Sequence, residues 1–355
     1  MQSLWDLPDF DDHEVVHFVR DRASGLSAII AIHSTALGPA GGGTRFWHYA
    51  DPARATVDAL RLSRGMSYKN AMADLPMGGG KAVILADEQR TKTPGMLAAF
   101  GDAIDRLGGR YVTAEDIGVT DADMTAISKR TRYVSGLPVQ REGSAGGDPG
   151  PFTSHGIFLG VKAAVKFKLG TDTLKGVRIA IQGTGSVGGG LARLLAGEGA
   201  VLTLADMDGE RVKALADELG AEVVSPDAIM QVECDVFSPN ALGAILDDQG
   251  IARLNAPIVA GGANNQLARE HHAKLLDERD ILYAPDYVIN AGGIISVAME
   301  YFADAEGRFC DVEEVRARLE GIPQRLTGIW EESRASGVSP AIVADRMAQK
   351  LIGRG

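Results

Sequence analysis

Only two cysteines, Cys234 and Cys310, occur in 355 residues, and they share no paired spacing. Neither a disulfide framework nor a cysteine metal site is suggested. The seven histidines show no metal-ligand spacing. His271 and His272 adjoin, and consecutive helical residues point in different directions, so that pair is expected on the surface. No apolar run is long enough to span a bilayer. The acidic opening, residues 1–12, lacks the basic-then-apolar order of a signal peptide, which leaves a reducing cytoplasm as the expected location. Basic residues number 36 against 47 acidic, a net charge of −11. That balance disfavours nucleic acid and anionic membrane surfaces as partners. Internal repeats and low-complexity tracts are missing as well.

What is present describes an ordinary globular chain, 45% hydrophobic and 23% charged, long enough for two domains. Its organising stretch is Arg64-Gly-Met-Ser-Tyr-Lys-Asn70 followed by Leu75-Pro-Met-Gly-Gly-Gly-Lys-Ala-Val-Ile84. Asp51-Pro52 opens a helix that ends near Lys69. Lys81 is expected in a glycine-rich turn, residues 78–80, leading into the buried strand 82–85. Two ammonium groups held close together can divide a task. One fixes a carboxylate, while the other, repelled and partly desolvated, loses its proton and acts as a base. Lysines at a helix end and a turn are also commonly solvated charges, so spacing alone leaves both readings open.

Before that stretch, residues 17–20 and 26–33 read as a hairpin. Residues 38–45 read as a glycine-rich loop, either a connector or a place of close backbone approach, with Arg45 able to pin it or bind an anion. After Lys81 come a helix at 94–107 and a strand at 111–113 ending in Ala114-Glu-Asp-Ile-Gly118. Acidic residues at such a strand end lie where open α/β sheets place ligand-binding groups, making Asp116 a candidate proton carrier or else a turn residue. A helix at 120–129 and a strand at 133–135 complete the first unit. The glycine- and proline-rich stretch 141–151 marks a domain boundary.

Beyond a helix at 153–168, strand 177–181 runs into Gly183-Thr-Gly-Ser-Val-Gly188, a helix and a second strand ending at Asp206, 23 residues after Gly183. The dinucleotide fingerprint asks for this context: glycines at the strand-to-helix turn and an acid about 20 residues on. A carboxylate there accepts bonds from the 2′-hydroxyl of NAD and repels the 2′-phosphate of NADP. NAD is therefore the expected cofactor. Further strands end in the polar loops 238–243, 261–265 and 285–293, where Asn264 is either a carboxamide or substrate ligand or a turn residue. The remainder is helical, broken near Gly307, at 321–323 and at 337–340. The fold class is thus α/β with two domains. The expected division is 1–148, 149–330 for a Rossmann-type NAD domain, and 331–355 as a C-terminal helical segment.

With Lys69, Lys81, Asp116 and the fingerprint in place, the chain resembles the glutamate/leucine/phenylalanine/valine dehydrogenase family, most closely its leucine and phenylalanine branches. The likeness runs from Leu26 to Met347. It rests on Gly38-Pro-Ala and Gly-Gly-Thr-Arg45, Arg64 to Lys69, Met77 to Val83, Thr113 to Gly118, Ser238 to Gly243, Ala263 to Leu267, Asp286 to Gly293, and Val343 to Met347. The resemblance implies that Lys69 binds the substrate carboxylate, Lys81 activates the attacking water and Asp116 exchanges protons with departing ammonia. It implies Gly41, Gly42, Met66, Ala114, Asn264, Ile294 and Val297 around the substrate. For the cofactor it implies Thr153 and Asn264 near the nicotinamide, Gly183, Thr184, Gly185, Ser186, Val187 and Gly188 on the pyrophosphate, and Asp206 on the ribose. The implied reaction converts an L-amino acid, NAD⁺ and water to a 2-oxo acid, ammonium and NADH; the resemblance also implies a homo-oligomer, with 1–148 as the substrate-binding and oligomerisation domain and 331–355 returning toward it.

The glutamate branch carries a lysine at position 41 and a serine at 297; here they are Gly41 and Val297, so an apolar amino acid is implied. Leucine-type relatives carry leucine at position 41, and its absence is expected to enlarge the pocket toward phenylalanine or broad specificity. Two rival functions are a 2-hydroxy acid dehydrogenase, which needs an arginine clamp and a histidine acid, and an NAD-sensing homologue without chemistry.

Overall fold

The computed structural model describes residues 3–139, 141 and 143–355. By proximity of its Cα atoms the chain forms two units: residues 1–148, 294–315 and 348–355 make the first, and 149–293 with 316–347 the second. The first boundary falls where the glycine- and proline-rich stretch is. The C-terminal division differs from the expected single return at 331, because the chain passes back to the first unit at Ile294, leaves it after Val315 and rejoins it at Ala348.

The first unit is built on a five-stranded sheet of β1 (Val15–Asp21), β2 (Leu26–Ser34), β3 (Ala40–Trp47), β4 (Gly78–Leu85) and β5 (Tyr111–Glu115), in the order β1-β2-β4-β3-β5. β1, β2 and β4 pair antiparallel, while β3 runs parallel to both β4 and β5. Helix α1 (Ala53–Met72) covers one face, where Ile29, Ala31, Ala55, Ala59 and Val83 cluster. The opposite face buries Ile30, Ile32, Phe46, Ile84 and Tyr111 with residues of α2 (Pro94–Asp105) and α3 (Asp121–Ser128). The expected strand at 133–135 is reduced to a single bridge between Val134 and Thr113.

Two glycine runs expected as a loop and a turn are strands. Residues 41–43 lie inside β3, the penultimate strand, and 78–80 inside β4, with no positive φ at any of the six. What they supply is lack of bulk. A Cβ on Gly79 would lie 2.0 Å from the Ser67 nitrogen of α1, and one on Gly42 would lie 1.8 Å from the Gly80 oxygen. The glycines let α1 and the neighbouring strands approach to backbone contact, and Asn70 uses that closeness, donating through Nδ2 to the carbonyls of Gly78 (2.6 Å) and Gly41 (3.4 Å).

The second unit opens with α4 (Gly150–Leu169) and holds a six-stranded parallel sheet. Its strands are β6 (Arg178–Gln182), β7 (Val201–Ala205), β8 (Glu222–Val223), β9 (Val236–Pro239), β10 (Ile258–Val259) and β11 (Leu282–Tyr283), ordered β11-β10-β9-β6-β7-β8. This is the doubly wound order whose reversal lies between the first and fourth strands, here β6 and β9, where such sheets take dinucleotides at the carboxyl edge. α5 (Ser186–Gly197) and α6 (Gly209–Leu219) follow β6 and β7; α7 (Asp248–Arg253), α8 (His272–Glu278) and α9 (Asp286–Ile289) alternate with the later strands. The C-terminal helices are α10 (Gly292–Ala305), α11 (Val312–Leu319), α12 (Gly321–Ser336) and α13 (Pro340–Leu351). Among the described residues no helix is long and apolar enough to cross a membrane.

His271 and His272 depart from the surface expectation. His271 is exposed, but His272 is 3% exposed and its ring lies against its neighbour's, centroids 4.1 Å apart. Asp248 stands 3.4 Å from His272 Nε2, so the three groups converge. His272 Nδ1 accepts from the Arg269 backbone N–H at 2.9 Å, which commits that nitrogen, and Nε2 makes no hydrogen bond among the described residues.

Candidate active site

Lys81 occupies the middle of β4, on the face covered by α1, and is 6% exposed. Its Nζ lies 2.9 Å from Oδ2 of Asp116, just beyond β5. The same oxygen accepts from Arg45 Nε of β3 at 3.0 Å. Arg45 also donates through Nη1 to Asp58 of α1 at 3.0 Å, and Asp58 accepts from Tyr49 (2.8 Å) and Arg61 (3.2 Å). Three strands and a helix thus converge on one charge network. Burial pulls the Lys81 ammonium toward neutrality and the Arg45 cation adds to this, against the opposing pull of Asp116, so its pKa is lowered. Burial alone would raise the Asp116 carboxyl, but Lys81 and Arg45 outweigh it and the net shift is downward. Chemically this is an amine poised to lose its proton beside a carboxylate that stays charged.

The sequence singles out Lys69 beside Lys81; the structure adds Arg45, a cation in the Lys81–Asp116 network. Lys69 sits in the last turn of α1, half-buried, on the helix that packs against β4. Arg45 could be seen in the sequence as a residue able to pin a loop or bind an anion, and Asp58 and Tyr49 carried no local signal. Met66 lies beside Gly42, its Cγ 3.2 Å from where a Cβ would stand. Ala114 is buried in β5. Ile294 and Val297 lie on α10 in the first unit, where the Val297 carbonyl accepts from Ser135 Oγ at 2.5 Å.

Gly41 does not open space. A Cβ there would lie 2.0 Å from Sδ of Met77, a residue 1% exposed, so the methionine side chain fills the volume that a residue-41 side chain would take. The expectation of an enlarged pocket is corrected accordingly.

Glu115 precedes Asp116 and has the opposite character. Burial and then Asp121, Asp148 and Asp123 raise its carboxyl to about 8. A carboxyl with a raised folded-state pKa contributes its stability in full below its ordinary value near 4.5 and loses it as pH rises through about 8. Glu115→Gln removes that loss. The melting temperature of the variant relative to the parent is expected to rise between pH 5 and pH 9 by about 2 °C or more. A difference that falls over the same range contradicts the assignment.

In the second unit, β6 ends at Gln182, Gly183 follows with φ +90°, and α5 begins at Ser186. A Cβ on Gly188 would lie 1.9 Å from the Gly183 oxygen, so the turn closes only with glycine there. Gly185 has no heavy atom within 4 Å of its would-be Cβ, leaving the first turn of α5 open to a phosphate. Thr184, Ser186 and Val187 complete this turn, and Val187 accepts from Ser154 of α4 at 2.8 Å. The residues present therefore fit a dinucleotide. Asp206 closes β7: its Oδ2 accepts from Thr184 N (2.5 Å) and Oγ1 (3.0 Å), its Oδ1 from Asp208 N (2.9 Å) and Arg211 Nη2 (2.8 Å). Burial would raise it, yet the bonds from Asp208, Thr184 and Arg211 bring it down to about 2. Arg211 carries no signal in the spacing that marks Asp206; it arrives one helical turn later, from α6. Thr153 lies in the first turn of α4, and Asn264, exposed, accepts from Asn290 at 2.8 Å.

A dinucleotide sheet joined to a unit carrying a desolvated lysine and its carboxylate is what oxidative deamination requires, and the class of protein is that of the amino acid dehydrogenases. Similarity to known proteins agrees. A family model described as Glu/Leu/Phe/Val dehydrogenase, dimerisation domain, matches residues 13–133, and one described as Glutamate/Leucine/Phenylalanine/Valine dehydrogenase matches 201–350. The chain is 46% identical over 350 residues to a leucine dehydrogenase of Thermoactinomyces intermedius, covering 99% of this chain and 93% of that protein. It is 43% identical over 345 residues to a valine dehydrogenase of Streptomyces albus, covering 96% and 93%. The crystal structure of L-tryptophan dehydrogenase from Nostoc punctiforme superimposes with a TM-score of 0.84 at 41% identity, over 96% of this chain and 95% of that one. The chain belongs to the glutamate/leucine/phenylalanine/valine dehydrogenase family, whose members are generally NAD(P)-dependent.

Proposed function

We propose that this chain catalyses NAD-dependent, reversible oxidative deamination of an apolar, leucine-type L-amino acid to its 2-oxo acid and ammonium. The observation that carries the reading is the buried Lys81–Asp116 pair at 2.9 Å. In it, Lys69 holds the substrate carboxylate as a point charge. Lys81, neutral in its desolvated setting, takes a proton from the water that attacks the imino carbon. Asp116 keeps Oδ2 on Lys81 and Arg45, and its Oδ1, which has no hydrogen-bond partner among the described residues, exchanges the proton of the leaving ammonia. Gly183 to Gly188 would hold the pyrophosphate, Asp206 the adenosine ribose, and Thr153 and Asn264 the nicotinamide side; when bound, NAD⁺ accepts the hydride from the substrate Cα. A homo-oligomer is supported by the dimerisation-domain match and by β1, an edge strand that exposes Phe18 at 65%.

The substrate preference rests on Met77. With its thioether over Gly41, the volume matches a relative that carries a side chain at position 41, which favours leucine or valine over phenylalanine. Met77→Ala vacates that volume. The ratio of kcat/KM for phenylalanine over leucine is expected to rise about tenfold, the scale of a few methylenes in an apolar pocket; an unchanged ratio removes Met77 from the specificity wall.

The test of the activity is NADH formation at alkaline pH, measured separately with leucine, valine, phenylalanine, tryptophan and glutamate. Turnover fastest on leucine or valine supports the reading. Ammonium-independent NADH oxidation by a 2-oxo acid would move it to the 2-hydroxy acid class, and NAD binding with no turnover on any of the five to a sensor.

A further inference from the structure

We propose that Arg45 is a positioning residue for this chemistry: it fixes the Asp116 carboxylate in one orientation, with Oδ2 on Lys81 and Oδ1 left for the ammonia. The inference rests on the reading of Lys81 and Asp116 as the proton-handling pair. Asp116 follows the last residue of β5, outside the strand ladder, so the sheet does not set its side-chain angle. One bond to Lys81 would leave the carboxylate free to swing about that contact. Arg45 adds a second bond to the same oxygen, 3.0 Å from Nε, and is itself held at its other end by Asp58, 3.0 Å from Nη1. Asp58 in turn is fixed by the Tyr49 hydroxyl and Arg61. A planar guanidinium can span Asp116 and Asp58 at once, which a lysine ammonium, a point charge, does not do. Both side chains are partly shielded, Arg45 at 17% and Asp116 at 23% exposure, which strengthens the bridge relative to a fully exposed ion pair.

The arrangement has an electrostatic side. Arg45 is the cation that lowers Lys81, while Asp116 and, more weakly, Asp58 raise it. Arg61 from α1 and the Tyr49 hydroxyl beyond β3 bear on the network through Asp58, and Lys69 stands on α1, the helix packed against β4; Tyr111 from β5 lies on the other face of the sheet, its hydroxyl donating to the Gly42 carbonyl at 2.7 Å. Removing the arginine charge therefore makes Lys81 harder to deprotonate, and the acid limb of the pH profile moves upward.

The experiment compares the full-length enzyme with Arg45→Gln and Arg45→Lys, measuring kcat and KM for the best amino acid from pH 7 to 11. Arg45→Gln is expected to move the acid limb of kcat/KM up by about one pH unit, a tenfold rate loss on the limb. Amino acid KM above the limb is expected to change less than about threefold, since Lys69 is untouched. Arg45→Lys keeps the charge but not the bridge, so the limb stays near the parent's and kcat falls about tenfold, the lower part of the range for a misplaced proton-transfer group. A purely structural contribution lowers activity evenly at all pH with the limb unmoved, and that result overturns the inference. If Arg45→Gln does not fold, Arg45→Met takes its place in the pH profile: a limb moved up by about one unit upholds the inference, and a limb left in place overturns it. Parent enzyme inactive on every amino acid tested, with NAD bound, instead overturns the activity reading and takes this inference with it.

Discussion

Lys81→Ala is expected to lower kcat by about a thousandfold or more, the contribution of a positioned general base, while NAD⁺ affinity changes less than about twofold. The two effects separate because Lys81 belongs to the first unit, whereas the fingerprint turn and Asp206 belong to the second. The pH profile carries a further signature. Burial and Arg45 lower the Lys81 pKa, so the parent rate rises with pH as the amine loses its proton, and alanine abolishes that limb. The fold is expected to survive, because Asp116 keeps its bond to Arg45 and is not left as a lone buried charge. A small primary amine added to the assay is expected to restore part of the rate through the vacated volume. Retention of more than a tenth of parental kcat, or a parallel loss of NAD⁺ binding, would falsify the assignment of Lys81 as the base.

The second large effect concerns the cofactor. The parent enzyme is expected to favour NAD over NADP by about a hundredfold or more in kcat/KM, because the Asp206 carboxylate, held ionised at about 2, would meet a 2′-phosphate with like charge, a penalty of several kcal/mol. Asp206→Ser removes that charge and releases Arg211, now tied to Asp206 Oδ1 at 2.8 Å and to Asp208 at 3.3 Å. A guanidinium near the ribose accommodates a 2′-phosphate, so this one substitution is expected to bring the NADP to NAD ratio to about one or above. Serine keeps an acceptor for the Thr184 N–H, which limits damage to the phosphate turn. Adding Arg211→Gln to the Asp206→Ser background is expected to cancel the gain in NADP use without restoring NAD use. Parent enzyme that prefers NADP overturns the reading of Asp206, and a double variant that keeps the gain overturns that of Arg211.

Asp206 and Arg211 were not equally legible beforehand. Asp206 follows from a local rule, since a strand, a glycine turn, a helix and a second strand occupy one continuous stretch and the spacing alone delivers the acid to the turn. Arg211 does not follow, because its guanidinium reaches Asp206 only through the pitch of α6. The same contrast holds in the first unit. Lys69 on the last turn of α1 and Asp116 at the end of β5 were placed correctly by helix and strand periodicity. The glycine runs were misread as loop and turn. Their reason is a clash with atoms far away in the chain, such as the Ser67 nitrogen against Gly79, and no local pattern encodes it.

By itself, then, the amino-acid sequence determined the α/β class, and it marked a break near Asp148, a glycine turn with an acid beyond it, and residues of the type that acid–base chemistry uses, because each depends on neighbours within one or two elements. Tertiary structure decided the rest. It put Lys81 inside a buried strand and made Arg45 its cationic neighbour. It turned the vacancy at Gly41 into the seat of Met77, and it gave Asp206 an arginine partner. Charge state and pocket volume depend on which atoms lie within a few ångströms, and here those atoms come from strands and helices that only the folded sheet brings together.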